Sequence, residues 1–332
     1  MTTLHIDADT AVTLVADAIT APSMHNAQPW RFVFRPATGV IELRGDPERA
    51  MPRSDPDHRS LHLGCGAALF NLRVSASRHR LDPHVALLPD ASDAWLLASV
   101  TFDGGPATGE GGGLTALHGA LRRRHTSRHP FADEHVPPAL MDGLRAAARL
   151  EGCRLTVPDG WHTETVLALV HDAEYQENAD PPTRAETAAW THTAADGAGT
   201  RRDGIPTRAF GPRAVGVPSL VRDFGHGRTV PGRGWATFEK HPQIALLGTR
   251  GDGRTDWLHA GQALERLLLQ ATTDGLATSM TSQPLERKEL RWTARDPLAA
   301  VGHVQMVLRL GYGPSGPSTP RRPVEEVFEV MA

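Results

Sequence analysis

Lysine is almost missing from this chain: only Lys240 and Lys288 occur. Cysteine is as scarce, and Cys65 and Cys153 form neither a CxxC pair nor a metal-ligand spacing. A disulfide framework and a thiolate metal centre are therefore not indicated, and buried free thiols in a reducing compartment are expected. No apolar run approaches the ~18 residues of a membrane span, so no membrane helix is expected. The first ten residues carry His5, Asp7 and Asp9 and no apolar stretch. A secretory signal is thus not expected, and the cytoplasm is the expected compartment. The formal net charge is only −3. No bulk field then draws nucleic acid or an anionic membrane, and neither is an expected partner. Several chemical signatures are missing too: no Gly-x-Ser-x-Gly elbow, no P-loop, no Rossmann glycine pattern. Among the 17 histidines, His58/His62 and His125/His129 are each four apart. Neither pair encloses the glutamate of a zinc protease motif or has an evident third ligand, so no metal is expected.

What is present is a globular chain of 332 residues, 40% hydrophobic and 22% charged, long enough for a large core. A helix is expected over 11–20, capped by Asp7 or Asp9, with Val12, Val15, Ala16 and Ile19 on one face. Strands over 31–35 and 40–44 are spaced for a hairpin, and 61–80 reads as a helix with Gly64 and Gly66 for close packing. Further strands are expected at 84–88 and 94–102. The segment 103–113 is glycine-rich and reads as a flexible linker. Helices follow at 114–124, 137–150, 161–177 and 184–191, with a strand at 153–157. From 194 to 233 periodicity disappears, yet Phe210 and Phe224 lie inside and Trp190 and Trp235 flank it, so a folded lid is expected. The last elements are a buried strand at 242–249, the strongest helix at 256–272 and a strand at 304–310. Leu61-His62-Leu63-Gly64 resembles Leu258-His259-Ala260-Gly261, and each opens a helix followed by a strand. An internal duplication is the expectation, with units at 1–103 and 114–332 joined by 104–113.

The segment that organises the rest is Ala21-Pro22-Ser23-Met24-His25-Asn26-Ala27-Gln28-Pro29-Trp30-Arg31-Phe32. Pro22 and Pro29 bar a helix between them, and Ser23, Asn26 and Gln28 offer donors and acceptors to a flat polar ring. This run resembles the loop with which nitroreductase-superfamily flavoproteins hold the ring of FMN. Arg124-His125-Thr126-Ser127-Arg128 resembles the segment that binds the flavin phosphate in that family, and Pro320-Arg321-Arg322-Pro323 its C-terminal basic segment. Two guanidiniums and a hydroxyl suit a phosphate monoester. The segment 275–286 resembles the post-helix stretch near the reactive edge of the flavin, although the family's Pro-x-Glu-Gly pattern is absent.

The ring loop occurs once, in the first half, and the phosphate segment once, in the second. The arrangement looks most like the fused, single-flavin Acg-type branch of the superfamily. The resemblance implies an α+β fold: an internally duplicated pseudo-dimer, with helices around mixed or antiparallel sheets and a lid insertion. It further implies FMN as cofactor, NAD(P)H as reductant and a monomer that mimics a dimer. The implied contacts are Pro22, Ser23, Met24, Asn26 and Gln28 for the ring, Arg124, His125, Thr126, Arg128, Arg321 and Arg322 for the phosphate, and Ser282 and Gln283 for the reactive edge. No catalytic acid or base stands out. Two functions follow: ping-pong reduction of a small organic acceptor, or storage of flavin beneath a closed lid.

Overall fold

A computed structural model of the protein describes residues 4–104, 109–192, 201–215, 220–295 and 302–331. Helix α1 (Ala8–Ala18) starts where the Asp7 carboxylate accepts the Thr10 N–H at 2.8 Å. Its inward face is Ala11, Leu14, Val15 and Ala18, while Val12 is exposed. The expected face is thus rotated: the two alanines turn inward, where α1 packs on the helix that follows the first hairpin.

Strands β1 (Trp30–Arg35) and β2 (Val40–Gly45) form the expected hairpin, turned by Gly39 at φ 68°. Helix α2 (Arg59–Arg78) opens with both Asp55 oxygens accepting N–H groups, from Ser60 and Leu61, at 2.9 Å each. Strands β3 (Leu81–Leu87) and β4 (Leu96–Gly104) complete a sheet in the order β1-β2-β4-β3, antiparallel throughout.

The α-helix expected over 114–124 is instead a 3₁₀ run, Gly109–Ala120. The reason lies in the spacing of the apolar residues. Leu114, Leu117 and Ala120 recur every third residue, and all three are buried with Phe70, Val74 and Leu269. A 3₁₀ helix stacks such positions in one line, whereas an α-helix would fan them out. The run also takes up part of the expected linker. Residues 105–108 lie outside the described residues.

The second unit repeats the plan of the first. Helix α3 (Pro138–Leu150) starts on a proline, and β5 (Arg154–Thr156) follows. The described residues between 157 and 242 then depart from the sheet. They hold α4 (Gly160–Ala179), α5 (Pro181–Ala189) and two short pairings, β6 (Thr191–His192) with β7 (Ile205–Pro206) and β8 (Arg213–Ala214) with β9 (Trp235–Ala236). The chain resumes with β10 (Gln243–Thr249), α6 (Arg254–Thr273), β11 (Ala277–Thr281), the short α7 (Lys288–Thr293) and β12 (His303–Gly311). Their sheet has the order β5-β10-β12-β11, also antiparallel. In both units a long helix links the second strand to the third, and the third lies at the edge.

Helices α2 and α6 are buried nearly all round because each lies between its own sheet and the other helix. They cross at Gly66 and Gly261. A Cβ on Gly66 would stand 2.4 Å from the Leu258 carbonyl oxygen, and one on Gly261 2.2 Å from that of Leu63. At this crossing each core takes in a leucine from the other unit: Leu258 joins the first and Leu63 the second. The C-terminal strand β13 (Phe328–Val330) returns to the first sheet and lies parallel to β1, with Phe32 opposite Phe328. That return carries residues 319–322 past the ring-type loop.

Candidate flavin site

Three stretches far apart in sequence wall one cleft. From the first unit come Pro22, Ser23, Met24, His25 and Asn26, with Ser60, Leu63 and Gly64 of α2. From the second come Arg124, His125, Thr126 and Arg128, with Leu264 of α6 and residues 279–283. The tail adds Thr319 and Arg321.

The loop is held in a costly conformation. His25, Asn26 and Gln28 have φ of 49°, 55° and 54°, each of which costs a side-chain-bearing residue about 1–2 kcal/mol. Tertiary hydrogen bonds offset that cost. Ser23 Oγ accepts the Gln28 N–H at 2.8 Å. Asn26 Nδ2 donates to the carbonyls of Gly204 and Pro320, both at 3.0 Å. Gln28 Nε2 donates to the Arg202 carbonyl at 2.8 Å, and its Oε1 accepts the Arg322 N–H at 2.8 Å.

Eleven of the residues expected from sequence line this cleft: Pro22, Ser23, Met24, Asn26, Arg124, His125, Thr126, Arg128, Ser282, Gln283 and Arg321. Gln28 and Arg322 do not. Gln28 is fully buried behind the loop and fixes it to the tail. The Arg322 guanidinium turns to Glu326 and Asp46 instead. The cleft-lining Ser282 and Gln283 have side chains engaged elsewhere: Ser282 Oγ donates to Glu286 at 2.9 Å, and Gln283 Nε2 to Glu177 at 2.9 Å.

The cations of the cleft fall into two groups: Arg321 faces Arg124, and Arg128 faces Arg222 and Phe224. Arg321 Nη1 donates to Asn26 Oδ1 at 2.9 Å, and its Nη2 to the Thr20 and Ala21 carbonyls at 3.1 Å each. Arg124 lies 3.5 Å from Glu265. Arg128 donates to the Ala209 carbonyl at 2.9 Å and stacks on Phe224, 5.0 Å from the ring centre. Burial, reinforced by neighbouring guanidiniums, lowers Arg321 to about 9 and Arg128 to about 10. His125 is lowered by burial, Arg124 and Arg321. His25 is held well below its ordinary 6.5 by burial, Arg222 and Arg128. In each case burial is the larger cause and neighbouring positive charge the smaller one. Nε of Arg124 and Nε of Arg321 are buried without a hydrogen-bond partner.

The segment after α5 closes the other side. Ile205, Val221, Arg222 and Phe224 line the cleft, and Phe224 meets His25 edge-on at 5.5 Å. Arg222 pairs with Glu177 at 2.8 Å and Glu286 at 2.9 Å. The expected lid, 194–233, is described at 201–215 and from 220 onward; 194–200 and 216–219 lie outside the described residues.

A family model described as the nitroreductase family matches residues 121–312. The chain belongs to the nitroreductase family. Over 335 aligned residues it is 31% identical to "Putative NAD(P)H nitroreductase Rv3131" of Mycobacterium tuberculosis, covering 99% of this chain and 94% of that protein. To "Putative NAD(P)H nitroreductase acg" of the same species it is 29% identical, covering 98% and 97%. Among solved structures, one described as a putative nitroreductase from Anabaena variabilis aligns with TM-score 0.48 and 10% identity over 92% of this chain and 88% of that one. An FMN-bound nitroreductase from Bacteroides fragilis aligns with TM-score 0.33 and 13% identity over 62% and 92%. The family and the α+β nitroreductase fold are those expected from the loop at 21–32.

For this nitroreductase-family chain, sequence reasoning missed His25, Arg222, Phe224 and Glu265 as cleft-associated groups. His25 sat unweighted inside the ring-type loop. Arg222 and Phe224 had a signal, since both lie in the stretch 194–233 expected to fold as a lid. Glu265 had none, being one more polar residue on an otherwise apolar helix. Among the described residues no helix is long and apolar enough to cross a membrane, and no cluster of His, Cys, Asp or Glu could hold a metal ion.

Proposed function

We propose that the cleft holds FMN and that the protein is an NAD(P)H-dependent oxidoreductase reducing a small organic acceptor. One observation carries this reading. The proline-bounded loop and the arginine segment, about a hundred residues apart in sequence, wall the same cleft, tied to the tail where Arg321 meets Asn26 at 2.9 Å. The donor set fits the cofactor. A phosphate monoester carries nearly two negative charges and needs paired cations when buried. Arg124, Arg321 and the Thr126 hydroxyl answer that need, with Arg128 further along the cleft; Arg321 Nε is buried without a hydrogen-bond partner, and Arg124 Nε has only the Glu265 carboxylate, at 3.5 Å.

In this reading Pro22 to Asn26 grip the ring, and α2 and α6 wall the cleft through Leu63 and Leu264. Flavin supplies hydride acceptance from a nicotinamide and hydride donation to an acceptor. The protein's part is to hold, orient and exclude water. His25, kept neutral by its surroundings, offers a hydrogen bond and no charge. Nicotinamide and acceptor would take turns in one cleft, which is a ping-pong order.

The test is optical. Purified protein should be yellow, and anaerobic NADPH or NADH should bleach it within the turnover time. Colourless protein that takes up no added FMN would refute the reading.

A second reading, flavin storage, draws on the segment that closes the cleft. Phe224 and Arg222 line the cleft on that side, and in this reading they would stand in the way of a nicotinamide. Phe224→Ala should then raise the bleaching rate at least about tenfold, equivalent to ~1.4 kcal/mol of barrier. A slow wild type whose bleaching speeds up in Phe224→Ala assigns storage beneath this segment; a fast wild type with an unchanged rate in the variant assigns turnover, and a slow wild type left unchanged by the variant refutes the role of Phe224.

A further inference from the structure

Behind the cationic end of the cleft lies a carboxylate that flavin binding alone does not call for. Glu265 of α6 is wholly buried, and neither of its oxygens has a hydrogen bond of normal length. Arg124 Nε stands 3.5 Å away. Arg321 faces it from the tail, and from α2 its neighbour is the neutral Asn71. Two other buried carboxylates, in contrast, are matched by cations. Asp17 of α1 takes His118 and Arg122, and Glu151 takes Arg73 and Arg266. His125, on the cleft wall, is shifted below 6.5.

Two guanidiniums thus share one carboxylate. With Glu265 ionised the group carries one net positive charge; with Glu265 protonated it carries two. A phosphate monoester dianion matches the second state. We propose that Glu265 sets the charge of this end of the cleft, taking up one proton as a dianionic phosphate binds and returning it on release. The inference rests on the flavin reading of the cleft.

The balance is simple: ionised Glu265, one solvent proton and the phosphate dianion give protonated Glu265 beside the bound dianion. Carboxylate and phosphate compete for Arg124 and Arg321. Burial lifts Glu265 to about 7 against the pull of Arg124, Asn71 and Arg321, so the proton exchanges near neutrality. A second anion on the same arginines lifts it further. Proton uptake on binding means that affinity falls as pH rises above about 7, by at most tenfold per unit. Below about 6 the phosphate itself loses its second charge, and His125 titrates below the falling limb.

The experiment uses the full chain and measures the FMN dissociation constant by fluorescence quenching at pH 6.5, 7.5 and 8.5. Wild type should bind about tenfold more weakly at pH 8.5 than at pH 6.5. Glu265→Gln should match wild type at pH 6.5 and lose the decline. Riboflavin, which has no phosphate, should bind both proteins with no such decline. Calorimetry of wild type at pH 7.5 in two buffers of different ionisation heat should show net proton uptake per FMN, and it needs no variant to fold. A flat wild-type profile, or a decline shared by Glu265→Gln, overturns the inference and leaves the flavin reading standing. Failure of wild type to bind FMN at every pH overturns both.

Discussion

Arg321→Ala is expected to leave the protein nearly free of flavin and to unfold it at a lower urea concentration. The side chain does two jobs. It is one of the guanidiniums at the cationic end of the cleft, and it ties the tail to the ring-type loop through Asn26 Oδ1 and the Thr20 and Ala21 carbonyls, with a further bond inside the tail to Thr319 Oγ1 at 2.7 Å. Hydrogen bonds from a charged donor are worth about 1.5–3 kcal/mol each, and removing one partner leaves the others desolvated. Several are lost together, so a loss of about 3–5 kcal/mol in stability is expected. The affinity for FMN should fall by about 100-fold, or ~2.7 kcal/mol. Arg321→Lys separates the two jobs. It keeps the charge and loses the planar fork, so part of the flavin affinity should return while the loop remains loosened. Flavin-to-protein ratio after gel filtration, with urea midpoints of both variants, reads the result. Wild-type flavin content in Arg321→Ala would place the phosphate elsewhere.

The contrast between what the chain announces and what it hides follows from the range of the interactions. The β1–β2 hairpin, α3 behind its prolines, and α6 with apolar residues at helical spacing are local patterns, and local periodicity found them. The ring-type loop was legible because its residues are contiguous. The return of β13 to β1 was not, because the pairing of Phe32 with Phe328 spans almost the whole chain and leaves no local mark. That return also decides why Arg321 lines the cleft while Arg322, one residue on, turns to Glu326 and Asp46. The 3₁₀ run at 109–120 was readable in principle from the spacing of Leu114, Leu117 and Ala120, yet the same stretch satisfies a loose helical pattern. The face of α1 needed knowledge of its neighbour. The twin helices announced their likeness in sequence, but their crossing point belongs to packing alone.

That crossing carries the other large effect. Gly261→Ala should cost more than the ~1–3 kcal/mol usual for an overpacked core, because the new methyl would lie 2.2 Å from the Leu63 carbonyl oxygen and 2.9 Å from the Gly66 Cα. Those atoms are backbone, so no rotamer change relieves the clash, and the two helices must separate. Separation spreads two cores at once, since Leu258 and Leu63 each cross into the other unit's core. It also moves the cleft walls, because α2 brings Ser60, Leu63 and Gly64 to them and α6 brings Leu264. Flavin retention should therefore fall along with the urea midpoint. Gly143→Ala is the matched control. It lies inside helix α3 with nothing within 4 Å of the added carbon, so it should raise stability by about 0.4–1 kcal/mol and leave flavin content unchanged. A Gly261→Ala protein as stable and as yellow as wild type would mean that the halves are held together somewhere other than this helix crossing.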